Sequence, residues 1–324
     1  MSYKNSVKLL TSNFSIVWKQ LLYMLSVCLV CFLLAYGVAQ PVIETLKNEG
    51  IVAEFTQVFE TIYTAPKDIF NALSNVSVHF AEVLAANFGK LWLSIFATFL
   101  FGPVVYQILK NASMYNVSSI MYMKMTSFVD IGYTRNMIST LWQSIRYAFA
   151  KLIYQIPFAM LKILLLYCYF TLAKSALSIL FGLFLVVLFL VLISAIETTL
   201  FSAMAGKMLD TNGKTSAFKA FFVGNVVTFK QFARIFSNAL IVVLTLILVN
   251  AFLGLFTLGV ALLITLPASL VFVSIFELCA YFGAKGERYY LSSTVIATPV
   301  KGENESINKK LSLIHISEPT RLDV

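Results

Sequence analysis

Three ionisable residues stand inside or at the edge of long apolar runs: Lys162, Glu197 and Glu277. A charge in hydrocarbon is costly, so such a residue faces a counter-charge, a water-filled cavity or a ligand on its way through. A lysine and a carboxylate placed this way could relay a proton or hold a small charged solute. They could equally form a static pair that fixes helix register, with the lysine stem snorkelling toward water. The sequence leaves both readings open. Lys162 lies about ten residues into its run, roughly 15 Å along a helix rising 1.5 Å per residue, which is near a bilayer midplane. Glu197 and Glu277 each fall toward the end of a run that the charge pattern assigns to the inner half, so either could meet it.

Other chemistry is hard to build from this chain. His79 is the only histidine ahead of the C-terminal tail. No H-E-x-x-H zinc pair can form, and a Ser-His-Asp triad would have to use this one loop residue. Gly213-Lys214-Thr215 ends like a phosphate-binding P-loop, but the first glycine of that motif would fall at Met208, so the resemblance fails. Cys28 and Cys31 form a C-x-x-C inside an apolar run, and Cys168 and Cys279 also lie in such runs. They read as small packing residues rather than redox or zinc ligands. Neither a catalytic residue nor a metal or cofactor is expected, and the chain reads as a non-enzyme.

The elements that position these charges follow from composition. A mean hydropathy of +0.85 with 12 % charged residues excludes an ordinary soluble domain, about a quarter of which is charged. Runs of about 20 apolar residues read as transmembrane helices, because in lipid a helix satisfies its own backbone hydrogen bonds. Six spans are expected: about 21–39, 91–109, 152–173, 176–205, 236–258 and 260–282. The last two are separated only by Leu258-Gly259 and make a hairpin. Residues 1–310 are thus read as one all-α, six-span domain of three hairpins.

Each hairpin is preceded by an apolar stripe at helical spacing. Val7, Leu10, Phe14 and Val17 form the first; Ile138, Leu141, Ile145, Phe149 and Leu152 the second; Phe218, Phe221, Phe222, Phe229, Phe232 and Phe236 the third. Such helices are expected to lie in the membrane interface. Their ends read Val17-Trp18-Lys19-Gln20, Leu141-Trp142-Gln143-Ser144 and Thr228-Phe229-Lys230-Gln231, a threefold pattern with too few identities to establish duplication. Between the first two spans, residues 40–90 are acidic and carry two further stripes. One is Phe55, Val58, Phe59 and Ile62, and the other Ile69, Leu73, Val76, Phe80 and Val83. This segment is expected to form two amphipathic helices capping the outer side.

Lysine and arginine set the orientation. They crowd the N-terminus, the 110–151 connector, the 207–234 connector and the C-terminal tail, whereas the other side carries only Lys47, Lys67, Lys90 and Lys174. Both termini are therefore expected in the cytoplasm. The net charge of +9 is read as topology, not as a nucleic-acid footprint.

The end of the sixth run, Phe276-Glu277-Leu278-Cys279-Ala280-Tyr281-Phe282, is followed by Lys285-Gly286-Glu287-Arg288-Tyr289-Tyr290. This resembles the close of uncharacterised multi-spanning membrane proteins of clostridium-like Gram-positive bacteria, in which the last span runs into a G-x-R-Y-Y segment. The resemblance covers mainly the C-terminal half and implies a bacterial plasma membrane. Leu311–Arg321 reads LSLIHISEPTR, which resembles a translated sequencing adapter, so 311–324 is set aside. The function expected is an envelope scaffold, a lipid-interacting protein or an accessory subunit. Its partners would be membrane lipids, and either a protein partner or a second copy of the chain. The alternative is a small-solute or lipid transporter using Lys162 and Glu277.

Overall fold

The computed structural model describes residues 2–97, 102–172, 176–292 and 295–297. Lys174, residues 98–101 of the expected second span and the adapter-like tail lie outside them. Among the described residues are thirteen α-helices: α1 (Ser2–Ser12), α2 (Ser15–Asn48), α3 (Ile51–Thr64), α4 (Ile69–Ala86), α5 (Phe88–Phe96), α6 (Gly102–Ser127), α7 (Tyr133–Ser139), α8 (Leu141–Leu172), α9 (Ala176–Phe201), α10 (Met204–Asp210), α11 (Ala217–Phe229), α12 (Phe232–Phe256) and α13 (Leu262–Lys285). A short antiparallel pair, β1 (Tyr290–Ser292) and β2 (Val295–Ile296), follows α13.

Six helical segments are long and apolar enough to cross a membrane: Ser15–Leu33, Ile69–Ala86, Leu141–Tyr169, Phe181–Asp210, Phe232–Phe256 and Leu262–Lys285. Two differences from the sequence reading stand here: Ile69–Ala86, which it laid on the outer surface, is among the six, and the expected span 91–109, of which 98–101 lie outside the described residues, is not. The mean hydropathy of Ile69–Ala86 satisfies a spanning helix because His79 and Glu82 are the only ionisable side chains along it.

The chain divides into two compact units, Leu22–Lys110 and the remainder. In the first, α3 and α4 pair, but the expected stripe on α3 does not face its partner as a whole, since Phe55 and Phe59 are exposed. Ile51 and Val58 are buried on one helix and Val76 and Val83 on the other, a spacing of two turns in each. Across the pair His79 Nδ1 lies 2.8 Å from Glu54 Oε1. Gly50, at φ 80°, makes the left-handed turn between α2 and α3.

In the second unit α9, α12 and α13 pack around Val191, Ala195, Ala239, Val242, Phe272 and Phe276. Ala195 and Ala239 are fully buried, and small residues of this kind let helix backbones approach where lipid supplies no hydrophobic drive. Helix α1 is docked on α13, with Tyr3 edge-on to Phe272 at 6.0 Å and Asn5 Nδ2 donating to the Tyr289 hydroxyl at 2.7 Å. The expected continuous helix through residues 5–20 is broken at Asn13-Phe14. The break lets α1 turn onto α13, and the stripe divides: Val17 is buried while Val7 and Phe14 are exposed. Gly286, at φ 70°, ends α13 in a left-handed cap, which accounts for the glycine of the G-x-R-Y-Y segment.

Asn250 of α12 donates to Ser269 Oγ of α13 at 3.0 Å, the polar tie within the last hairpin. Hydrogen bonds between membrane helices average about 0.6 kcal/mol. Asn250→Leu is therefore expected to lower stability by about that amount in an SDS-titrated unfolding experiment in mild detergent, and Ser269→Ala by as much.

Candidate functional site

Along α8 the polar face is turned inward and the apolar stripe outward. On the first half of α8 the buried residues are Ser144, Tyr147, Ala148, Ala150 and Lys151, while Leu141, Trp142, Phe149 and Ile153 are exposed. Continuing along the same face come Gln155 and Lys162. This row, Ser144–Tyr147–Lys151–Gln155–Lys162, follows the 3.6-residue period as faithfully as the apolar stripe on the other side. The stripe read as an interfacial anchor faces outward, as lipid-facing surface does, and the polar row faces the protein.

Two ion pairs are built on that row. Lys162 Nζ lies 2.6 Å from Glu197 Oε2 of α9. The other oxygen of Glu197 accepts from Gln155 Nε2 at 2.8 Å, and Gln155 Oε1 accepts from Asn111 Nδ2 of α6 at 3.0 Å. The carboxylate is thus held on both oxygens, with its side chain 16 % exposed and that of Lys162 30 % exposed. Deeper in, Lys151 Nζ lies 3.2 Å from Glu277 Oε1 of α13 and donates to the Tyr147 hydroxyl at 3.0 Å. The side chains of Lys151 and Glu277 are 3 % and 2 % exposed. Glu277 Oε2 and Asn111 Oδ1 are buried without a hydrogen-bond partner among the described residues.

Of the three residues singled out from sequence, the structure brings Lys162 and Glu197 together and seats Glu277 on a different lysine. Lys162 and Glu277 make no hydrogen bond or ion pair with one another among the described residues. Lys151 is the residue that sequence reasoning missed. Standing one residue before the apolar run, it counts with the basic connector, although its spacing from Tyr147 and Gln155 marks it as part of the buried row.

A third cluster lies at the far end of α13. Asp210, the last residue of α10, accepts from the Tyr122 hydroxyl of α6 at 2.7 Å and from Lys285 Nζ at 2.6 Å. It also accepts from the Tyr281 hydroxyl. Lys285 in turn lies 2.7 Å from Glu287. Burial first, then donation to Asp210, pushes the Tyr122 phenol well above its ordinary value, so it stays a hydrogen-bond donor at neutral pH. Asp210 thereby joins α6, α10 and α13 in one knot.

A fourth cluster is neutral. Gln20 is fully buried, donates to Ser113 Oγ at 2.8 Å and accepts from the Tyr133 hydroxyl at 2.8 Å. Asn136 Nδ2 donates to Asn116 Oδ1 at 2.7 Å. Helix α6 is buried almost without interruption from Asn111 to Met121, although Asn111, Ser113, Asn116, Ser118 and Ser119 fall within it. In the three motifs that precede the hairpins the aromatic residue, Trp18, Trp142 or Phe229, is exposed, and two residues on Gln20 and Ser144 are buried.

Cys28 and Cys168 are exposed, Cys31 is half-buried and Cys279 is buried, and none of the four is in a disulfide among the described residues.

Comparison with protein families, curated proteins and solved structures finds no match to the chain. What the fold and its buried charges define is a class: an all-helical, multi-pass membrane protein with six helices long and apolar enough to span.

Proposed function

We propose that this chain is a non-enzymatic protein of a bacterial plasma membrane, a scaffold or accessory subunit in contact with lipid, with both termini on the cytoplasmic side. One observation carries the reading: each charge that the apolar runs bury is taken up by a counter-charge from a neighbouring helix, Lys162 by Glu197 and Lys151 by Glu277. A carrier that worked through these charges would need them to change partner as substrate or proton passes. Pairs held further by a hydrogen bond from Gln155 to Glu197 and one from Lys151 to the Tyr147 hydroxyl suit a fixed helix register instead. The transporter reading also required Lys162 and Glu277 to line one passage, and they have separate partners. The crowding of lysine and arginine into one set of connectors supports the cytoplasmic placement of the termini. The partners in this reading are membrane lipids and either a protein or a second copy of the chain.

Proteoliposomes loaded with a pH-sensitive dye test it. The purified protein is expected to leave proton and solute leakage at the level of empty vesicles, with Glu277→Gln indistinguishable from wild type. A gradient-driven flux abolished by Lys162→Met or Glu277→Gln would overturn the scaffold reading in favour of transport.

A further inference from the structure

We propose that α11, with the turn before it, is a docking surface for anionic phospholipid, with acyl chains on its outer face and phosphate headgroups against Lys214, Lys219 and Lys230. The proposal rests on the membrane-protein reading above and deepens it by naming the lipid class.

Helix α11 has its side-chain sizes sorted by face. Ala217, Ala220, Gly224 and Thr228 are buried, whereas Phe218, Phe222, Val226 and Phe229 are exposed, the last three by 61 %, 69 % and 70 %. The small residues seat the helix tightly: a Cβ on Gly224 would stand 2.8 Å from Ala203 Cβ and 3.1 Å from the Ala203 carbonyl oxygen. The large apolar residues recur every three or four positions and so form one continuous outward stripe. In water such a stripe would be left uncovered. The helix lies between the fourth and fifth apolar segments in the chain, so its ends are tied to helices long enough to span.

Charge decides which lipid. Lys219 and Lys230 are about three helical turns apart and border the stripe on the same side. Lys214 lies in the preceding turn, where Asn212 (φ 50°) and Gly213 (φ 73°) take left-handed conformations. Lys214 and Lys219 line an open cleft of about 590 Å³ together with Thr211, Thr215 and Ser216. Asp210 also borders this cleft, but its carboxylate is already taken by Lys285, Tyr122 and Tyr281. Among the described residues Lys214, Lys219 and Lys230 make no ion pair. Cations with no ion pair among the described residues, hydroxyls beside them and an apolar stripe bordering Lys219 and Lys230 match a phosphate headgroup with its acyl chains.

The test places a single tryptophan at Phe222, with Trp18, Trp92 and Trp142 replaced by Phe. The full chain is reconstituted in phosphatidylcholine vesicles containing a minority of phosphatidylglycerol, with one lipid or the other brominated on its chains. Brominated phosphatidylglycerol is expected to quench more strongly per molecule than brominated phosphatidylcholine, with the preference falling by up to about fivefold for each lysine removed in Lys214→Gln, Lys219→Gln and Lys230→Gln. Equal quenching by the two lipids, unchanged in the triple variant, would overturn the headgroup site while leaving the membrane-protein reading intact. Quenching by neither would overturn both for this face. Loss of the preference on adding inorganic phosphate, but not chloride of equal ionic strength, would assign the cleft to a free anion and overturn the lipid. The same series with the tryptophan at Val226 gives the result should Phe222→Trp fail to fold.

Discussion

Lys151→Met is expected to destabilise the protein by about 3–5 kcal/mol, more than the loss of any partly exposed charge in the bundle. The reason is asymmetry. Lys151 and Glu277 are both almost wholly buried, and removing the lysine leaves Glu277 with one oxygen newly unpaired and the other already without a partner. An uncompensated carboxylate away from water must protonate or pull the bundle open. Glu277→Leu is expected to be as harmful, because it strands the ammonium with only the Tyr147 hydroxyl. The double variant Lys151→Met with Glu277→Leu should recover most of the loss, since a buried pair replaced by apolar groups of similar size is often neutral or stabilising. Equilibrium unfolding in mild detergent, titrated with SDS, measures all three. Additive losses in the double variant would contradict the pairing.

The second large effect is expected at Gly206 of α10. A Cβ at this position would stand 2.3 Å from Cδ1 of Tyr281 and 2.7 Å from its Cγ. These are ring-root atoms of a fully buried side chain, so the ring cannot swing aside without moving α13. Tyr281 also donates to Asp210, so a displaced ring would loosen the knot between α6, α10 and α13. Gly206→Ala is expected to cost about 1–3 kcal/mol for overpacking alone, and more with the hydrogen bond lost. The cost should shrink in a Tyr281→Ala background, where Cγ and the ring it carries are gone. Gly89→Ala in α5, which meets nothing within 4 Å, should be neutral or slightly stabilising and serves as the control. Thermal unfolding of the four variants in detergent decides the matter, and equal effects of Gly206→Ala in both backgrounds would sink the steric account.

The spans were the most legible part of the sequence, because twenty apolar residues in a row have few other uses. The runs around Val242 and Val271 became α12 and α13 with their boundaries shifted by a few residues. The turn at Leu258-Gly259 appears as two left-handed residues, at φ 51° and 88°. The acidic segment also yielded its two helices. Less legible was which face of a helix is inside. An apolar stripe at helical spacing names a face but not its solvent, and the rule that it points to a core assumes water outside. Leu141, Trp142 and Phe149 point outward and Ser144, Tyr147 and Lys151 inward because lipid reverses that assumption. Given equal weight with the apolar stripe, the polar row marks Lys151 as a buried residue.

Helix ends were harder for a different reason. Residues 5–20 have no proline or glycine to announce a stop, yet the helix breaks at Asn13-Phe14. Asn13 Nδ2 bonds back to the Leu9 carbonyl at 2.9 Å and Asn13 Oδ1 accepts from Lys124 Nζ at 2.9 Å, so the cause includes a lysine far along the chain. The Asp210 knot draws on Tyr122, Tyr281 and Lys285, residues 71 or more positions away. Pairing of this kind is set by packing, and no local pattern carries it.

Whether the buried charges work in fixed pairs is tested most directly by two double-mutant cycles on the purified protein. One cycle joins Lys162→Met with Glu197→Gln and the other joins Lys162→Met with Glu277→Gln, each read by unfolding free energy. Coupling of at least about 0.5 kcal/mol is expected in the first cycle and additivity within about 0.3–0.5 kcal/mol in the second. Coupling between Lys162 and Glu277 that equals or exceeds the coupling between Lys162 and Glu197 would contradict fixed pairing and return these two residues to a shared passage.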